Sequence, residues 1–369
     1  MAPPGSGAPR QWRPPAVAPP RQWRSPPIGP RRSTRVPAAA RTLALVRVVS
    51  LLPSATESLW LIGGAGYLVG RSHECDFPPA ITDRPVLTSQ LADPGADPLT
   101  IDRQVSSALA EGRSLYRLDT PRLRALAPDV VLTQDLCEVC SIDLEAVRAV
   151  AREMDPVPRI VSLNPSSFED VLDDLVRIGD AVGRERGARD ALVALRERFF
   201  RASDFVNSFA SGPRVLFLEW TDPPFVGGHW TPQLIERAGG THPLNPTVAL
   251  PGAGAGAGGQ MAHRVAGKSV RVSVEQIVKA APDAVIVCPC GVALDAMEPH
   301  IDALERQPWW RRLPAVRAGR VALVDGSQMF NRPGPRLVDA YEWLVGWLND
   351  RPEVIPPGFP WRVLSTTSR

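Results

Sequence analysis

The chain has 369 residues, 44% of them hydrophobic, which is enough for a substantial core and two domains of ordinary size. No apolar run approaches the ~18 residues of a membrane-spanning helix, so no membrane span is expected. The net charge of +3 is carried by the head: residues 1–46 hold eight Arg and no acid, and the mildly acidic remainder argues against a nucleic-acid groove.

The head is rich in Pro and Arg and repeats PRQWR at Pro9–Arg13 and Pro20–Arg24. Such a segment cannot bury enough apolar surface to fold alone, so disorder is expected over 1–45. It has no apolar h-region of the secretory type, and Arg-rich, acid-free heads also occur in organelle transit peptides. A cytoplasmic or organellar location is therefore expected over a periplasmic one.

The folded body begins at Val46. The run VRVVSLLP reads as a buried strand. SATESLWLIGGAG then reads as a helix capped by Ser54 or Thr56 and stopped by Gly63-Gly64. TPRLRALAPDVVLTQ predicts a helix, a Pro-Asp break, and a strand at Val130–Thr133. SSFEDVLDDLVRIGDAVGRERGARDALVALRERFF predicts one long helix, broken or continuous, over 166–210. GPRVLFLEW predicts a strand over Arg214–Glu219. A loop and a helix from Thr231-Pro232 follow, and Gly239-Gly240 end that helix. SVEQIVKAAPDAVIVCP repeats the helix, Pro-Asp, strand unit. Alternating strands and helices imply parallel sheets. The expected architecture is an α/β fold of two Rossmann-like lobes, 46–165 and 211–350, joined by a long helix, with a short tail over 351–369. A ligand cleft is expected between the lobes, where strands end.

The loops after the strands are Pro53–Thr56, His73–Pro79, Gln134–Cys140, Trp220–Trp230, Cys288–Gly291 and Gly326–Arg336. They hold all five cysteines and the aromatics Phe77, Trp220, Phe225, Trp230 and Phe330. Flat aromatic faces suit a large ring system, although each of these side chains could instead cap a lobe's core.

Six motifs in order resemble the cobalamin- and siderophore-binding proteins of the helical-backbone metal receptor class. They are VVSLLPSATESLWLIGG, GRSHECDFPP, LRALAPDVVLTQ, LEWTDPPFVGGHW with LIERAGG, APDAVIVCPCG, and DGSQMFNRPGPRLVDAYEWL, spanning about 46–348. The resemblance implies a periplasmic-binding-protein-like molecule that binds cobalamin or a related corrinoid in the cleft, without catalysis. It implies contacts from Phe225, from Asn331 and Arg332, and from Phe77. His73, Cys75, Trp220, Trp230 and Phe330 complete the candidate ligand set. Importer-docking relatives carry a surface glutamate on each lobe. Pro121 stands at the first of these positions and Glu236 matches the second, so an ABC permease partner would lack one docking carboxylate. A monomer is expected.

The cysteines leave alternatives open. Cys137 and Cys140, with Cys288 and Cys290, form one pair per lobe and offer thiolate ligands for zinc or an iron chelate. The same thiols could line the pocket, approach a ring metal, form a disulfide or stay inert. An enzyme is not favoured. His73-Glu74-Cys75 lacks the H-x-E spacing of zinc deaminases. VAGKS lacks the leading glycine of a P-loop, because Ala262 stands there. GAGAGAGG is not at a strand-to-helix turn and reads as a flexible insertion. His242, His263 and His300 read as solvated loop residues.

Overall fold

The run after Val46 forms a fully buried strand, β1 (Val48–Ser50), from which the first half of the chain alternates helix and strand. In the computed structural model the described residues are 45–90, 97–111, 114–135, 142–207, 211–250 and 264–364. The first half continues through α1 (Pro53–Leu61), β2 (Leu68–Arg71), β3 (Thr88–Gln90), α2 (Pro98–Ala110), β4 (Tyr116–Leu118), α3 (Thr120–Leu126), β5 (Val130–Thr133), α4 (Leu144–Arg152) and β6 (Arg159–Ser162). Two helices follow, α5 (Phe168–Val182) and α6 (Glu185–Ser203). The second half runs through β7 (Val215–Thr221), β8 (Pro224–Val226), α7 (Trp230–Arg237), β9 (Val248–Ala249), β10 (Arg264–Val265), β11 (Val270–Arg271), α8 (Val274–Ala280), β12 (Ala284–Val287), α9 (Glu298–Glu305), α10 (Pro314–Arg317), β13 (Val321–Val324), α11 (Leu337–Leu348) and β14 (Trp361–Val363).

The first sheet, in the order β2-β1-β5-β6, is parallel throughout. The second, β11-β8-β7-β12-β13-β14, is parallel only across β7, β12 and β13. Its other pairings are antiparallel, so the expected all-parallel sheet holds only in the first lobe. The loop expected after Trp220 is a tight hairpin between β7 and β8. The tail expected from residue 351 is in part structural, because β14 closes the edge of the second sheet.

The repeated Pro-Asp has the same job in each lobe. Ala127 and Ala281 take left-handed backbone (φ 38° and 42°) and end α3 and α8. The following aspartates then receive the backbone N–H that opens the neighbouring strand: Arg47 N to Asp129 Oδ2 at 2.8 Å, Arg214 N to Asp283 Oδ2 at 3.0 Å. The helix at the first Gly-Gly starts differently from expectation. Leu52 is its N-cap, Pro53 fills the first turn, and Ser54 and Thr56 lie buried inside the helix.

The segment joining the lobes is helical and broken. Ser167 and Asp170 form a reciprocal capping box at the start of α5, a device contributing about 1 kcal/mol. Gly183, at φ 68°, ends α5, and α6 packs back against it. At the crossing a Cβ on Gly179 would lie 2.6 Å from Ala188 Cβ, so only glycine lets the helices approach this closely. One apolar core runs from Val48 and Leu132 through Phe168, Leu175 and Phe199 to Phe217, Ile286 and Trp343, so it includes both sheets and the helical pair.

Candidate ligand cleft

The loops at the carboxyl ends of the strands meet across the lobes at two places. At the base of the cleft, α1 carries Glu57, only 4% exposed. A buried carboxylate is costly unless paired. Its partners come from the second lobe. Arg336 donates from Nε to Glu57 Oε2 at 2.8 Å and from Nη2 to Oε1, and Arg332 Nη1 lies 3.2 Å from Oε1. Arg332 reaches further, to Asp76 Oδ1 at 2.5 Å, Asp76 Oδ2 at 3.1 Å and the Glu74 carbonyl at 3.2 Å. Burial works against the charge of Arg332, but hydrogen bonding to Asp76 and the charge of Glu57 outweigh it and raise its pKa. Arg336 also donates to Gln328 Oε1 at 2.6 Å and lies 4.2 Å over the Phe77 ring.

At the edge of the cleft, Trp220 Nε1 donates to the Pro98 carbonyl at 3.1 Å, across the lobes, and to Asp222 O at 3.2 Å. The Trp220 ring meets His300 edge-on at 4.8 Å. His300 is buried, its Nδ1 lies 2.7 Å from Thr221 Oγ1, and burial lowers its pKa to about 4. His242 is likewise buried, so neither is the solvated loop residue expected; His263 lies outside the described residues.

The candidate residues divide by exposure. Phe77, Trp220, Phe225 and His73 are part-exposed, and Tyr116 joins them. Phe225 sits on β8, opposite Trp220 on β7 and Arg271 on β11. His73 follows β2. Its Nδ1 is 2.6 Å from Thr88 Oγ1, the Tyr116 ring is 5.7 Å away, and Nε2 has no partner. Burial lowers the His73 pKa, with Glu74 opposing and Arg71 assisting. Tyr116 OH in turn donates to Glu74 Oε1 at 3.3 Å.

Four expected ligand contacts are occupied elsewhere. Arg332 is spent on the cross-lobe ion pairs. Phe330 is fully buried against Phe217 and Trp343, and Trp230 is buried with its Nε1 on the Phe330 carbonyl at 2.7 Å. Asn331 ties two loops together, donating to Gly326 O at 2.8 Å and Cys288 O at 3.2 Å. The cysteines are divided too. Cys75 is buried with Thr56 Oγ1 at 3.1 Å from its sulfur, and burial pushes its thiol up to about 11. Cys288 is buried and its pKa is raised well above the ordinary thiol value by burial, then by the charge of Glu219. Cys290 is exposed and free. Cys137 and Cys140 lie outside the described residues. Among the described residues no three His, Cys, Asp or Glu side chains converge as a metal site.

Glu57, Arg336 and Asp76 escaped the sequence reading. The signal was present in Arg332 and Arg336, four residues apart without an acid between them, and in Glu57, alone on an apolar helix. Pro121 is exposed beside the exposed Arg122 and Arg124. Glu236 is engaged internally, accepting from Thr247 N at 2.9 Å and from Thr247 Oγ1.

Residues 48–327 match the family model described as periplasmic binding protein. Among solved structures, the chain is similar to the periplasmic heme-binding protein RhuT from Roseiflexus sp. RS-1, at 22% identity and TM-score 0.59 over 83% of this chain and 98% of that one. It is similar to a periplasmic heme-binding protein from Pseudomonas aeruginosa, at 21% identity and TM-score 0.57 over 87% and 95%. It is also similar to the periplasmic vitamin B12 binding protein BtuF of Vibrio cholerae, at 17% identity and TM-score 0.55 over 83% and 98%. No curated protein sequence matches the chain. The expectation of a cytoplasmic or organellar location is overturned here, because the matched family and these three structures are periplasmic binding proteins. The two-lobe α/β fold and the family match together place this chain in the periplasmic binding protein family.

Proposed function

We propose that this protein binds cobalamin or a related corrinoid between its lobes and performs no chemistry on it. The observation that carries this reading is the part-exposed set Phe77, Tyr116, Trp220 and Phe225, on strand-end segments of both lobes, with the His73 ring beside Tyr116. Aromatic faces match a wide macrocycle, and the His73 ring, held through Nδ1 by Thr88, would have to turn to bring its buried Nε2 to a ring metal. The similarity to both heme- and vitamin B12-binding proteins supports a flat metal macrocycle as the ligand class. An ABC permease that accepts the ligand would dock without a carboxylate at Pro121 and without a free Glu236.

The test is titration of purified protein with cyanocobalamin, aquocobalamin and hemin, followed by calorimetry and visible absorption. The expected result is one-to-one cobalamin binding, weakened about tenfold or more by Phe225→Ala. Aquocobalamin alone should shift its spectrum, and His73→Ala should abolish that shift. Saturable hemin binding with no cobalamin binding would refute the corrinoid reading.

A further inference from the structure

The helix α2 leaves the first lobe and rests on the second. It lies between β3 and β4, which pair antiparallel with Gln90 opposite Tyr116, so the chain departs and returns at one point of a two-stranded ribbon. That ribbon carries Tyr116, and its Thr88 holds His73. The helix itself is docked across the lobes. Its Pro98 carbonyl accepts from Trp220 Nε1 at 3.1 Å, and α2 packs on α9. Tyr116 at the root and Trp220 at the far contact both belong to the part-exposed aromatic set of the cleft, so α2 bridges the two walls of that set.

The sequence builds α2 to form by itself and to dock loosely. Asp97 caps it, accepting from Thr100 N at 3.1 Å and from Thr100 Oγ1 at 2.6 Å, and Pro98 fills the first turn. Its 13 residues give it a length of about 20 Å. Ile101, Val105, Ala108 and Leu109 fall on one face at helical spacing, yet only Pro98 and Ala108 are buried. Among the described residues, the three apolar cores include no side chain of α2. An element with so little burial opens at a free energy well below that of the lobes.

We infer that α2 is a lid over the interlobe cleft, carried by the β3-β4 ribbon of the first lobe and latched to the second by the hydrogen bond from Trp220 to Pro98. Releasing that bond and the α9 contact frees α2 without dividing the shared core or parting Glu57 from Arg332 and Arg336. Ligand exchange then takes the opening of one helix, not of two lobes. The gating role rests on the reading of the cleft as a macrocycle site; the latch does not.

Two measurements separate these parts. Hydrogen exchange of the full chain without ligand, read by mass spectrometry, reports the latch. Trp220→Phe removes the N–H donor, so amides over residues 99–110 should exchange about fivefold faster while those of α5 stay unchanged. A change below about twofold in α2, or an equal change in α5, would overturn the lid. Stopped-flow binding of cyanocobalamin and of hemin reports the gate. Replacing residues 91–115 by an Asn-Gly turn keeps the ribbon, because Gln90 already faces Tyr116. Association and dissociation should both quicken by about tenfold or more, with a melting temperature close to that of the full chain. Equal rates in the two proteins would overturn the lid. If neither macrocycle binds the full chain, the macrocycle reading fails and the exchange experiment alone decides the lid.

Discussion

The base of the cleft makes a quantitative demand. Glu57 is 4% exposed and faces two guanidiniums, both of them buried. Glu57→Gln keeps the shape and one acceptor oxygen but removes the charge. Arg332 retains Asp76, whereas Arg336 is left with Gln328 and the Phe77 face. Removing one partner of a buried pair costs about 3–5 kcal/mol, because the remaining charge stays out of water unpaired. Asp76 supplies the control. It approaches Arg332 more closely than Glu57 does, but its side chain is 54% exposed, so Asp76→Asn should cost less than about 1 kcal/mol. Urea unfolding at neutral pH, followed by fluorescence of the ten tryptophans, measures both. A loss below about 1 kcal/mol in Glu57→Gln, or equal losses in the two variants, would refute the argument that burial sets the strength of this clasp.

Asp174 on α5 is 3% exposed, and burial raises its pKa to about 7 despite the nearby Arg177. Its folded value lies above its unfolded one, so its contribution is fully present at acid pH and is lost as pH rises through about 7. Asp174→Asn should therefore stabilise by up to about 4 kcal/mol near pH 8.5 and by little near pH 4.5, read by urea midpoints at both pH values. The thiols give a second check. Brief iodoacetamide treatment of the native protein, mapped by mass spectrometry, should modify Cys290 and leave Cys75 and Cys288 untouched. Modification of Cys75 at the rate of Cys290 would show that the thiol is not held in the core.

Periodicity and punctuation made the scaffold legible. Val130–Thr133 became β5 at the residues expected, and the Pro-Asp pairs marked strand entries in both lobes because the aspartate closes the start of the neighbouring strand. The hairpin at Asp222–Pro224 was not legible. Two prolines read as a loop, yet Phe225 pairs with Trp220 across the hairpin and with Arg271 on β11, far along the chain. The site was misread for a similar reason. An arginine near a strand end looks like a ligand contact until its long-range partners are known, and Glu57 lies 275 residues from Arg332. Sequence spacing carries no information about a pairing at that separation. Phe330 and Trp230 were misplaced because an aromatic beside a loop has the same sequence signature whether it caps a core or lines a cleft.

These contacts rank the motions open to the lobes. A hinge opening would separate Glu57 from Arg332 and Arg336 and divide a core that includes both sheets. The divided core sets that cost, because charges parted by an opening regain their water and the ion pairs themselves add little. At the edge, the cross-lobe hydrogen bond from Trp220 to Pro98 contributes about 1 kcal/mol, and the indole N–H keeps a second acceptor in its own lobe at Asp222. Releasing the edge is therefore far cheaper than opening the base. The base clasp therefore ties the lobes where their core is continuous, with the Arg332 guanidinium engaged by Glu57 and Asp76.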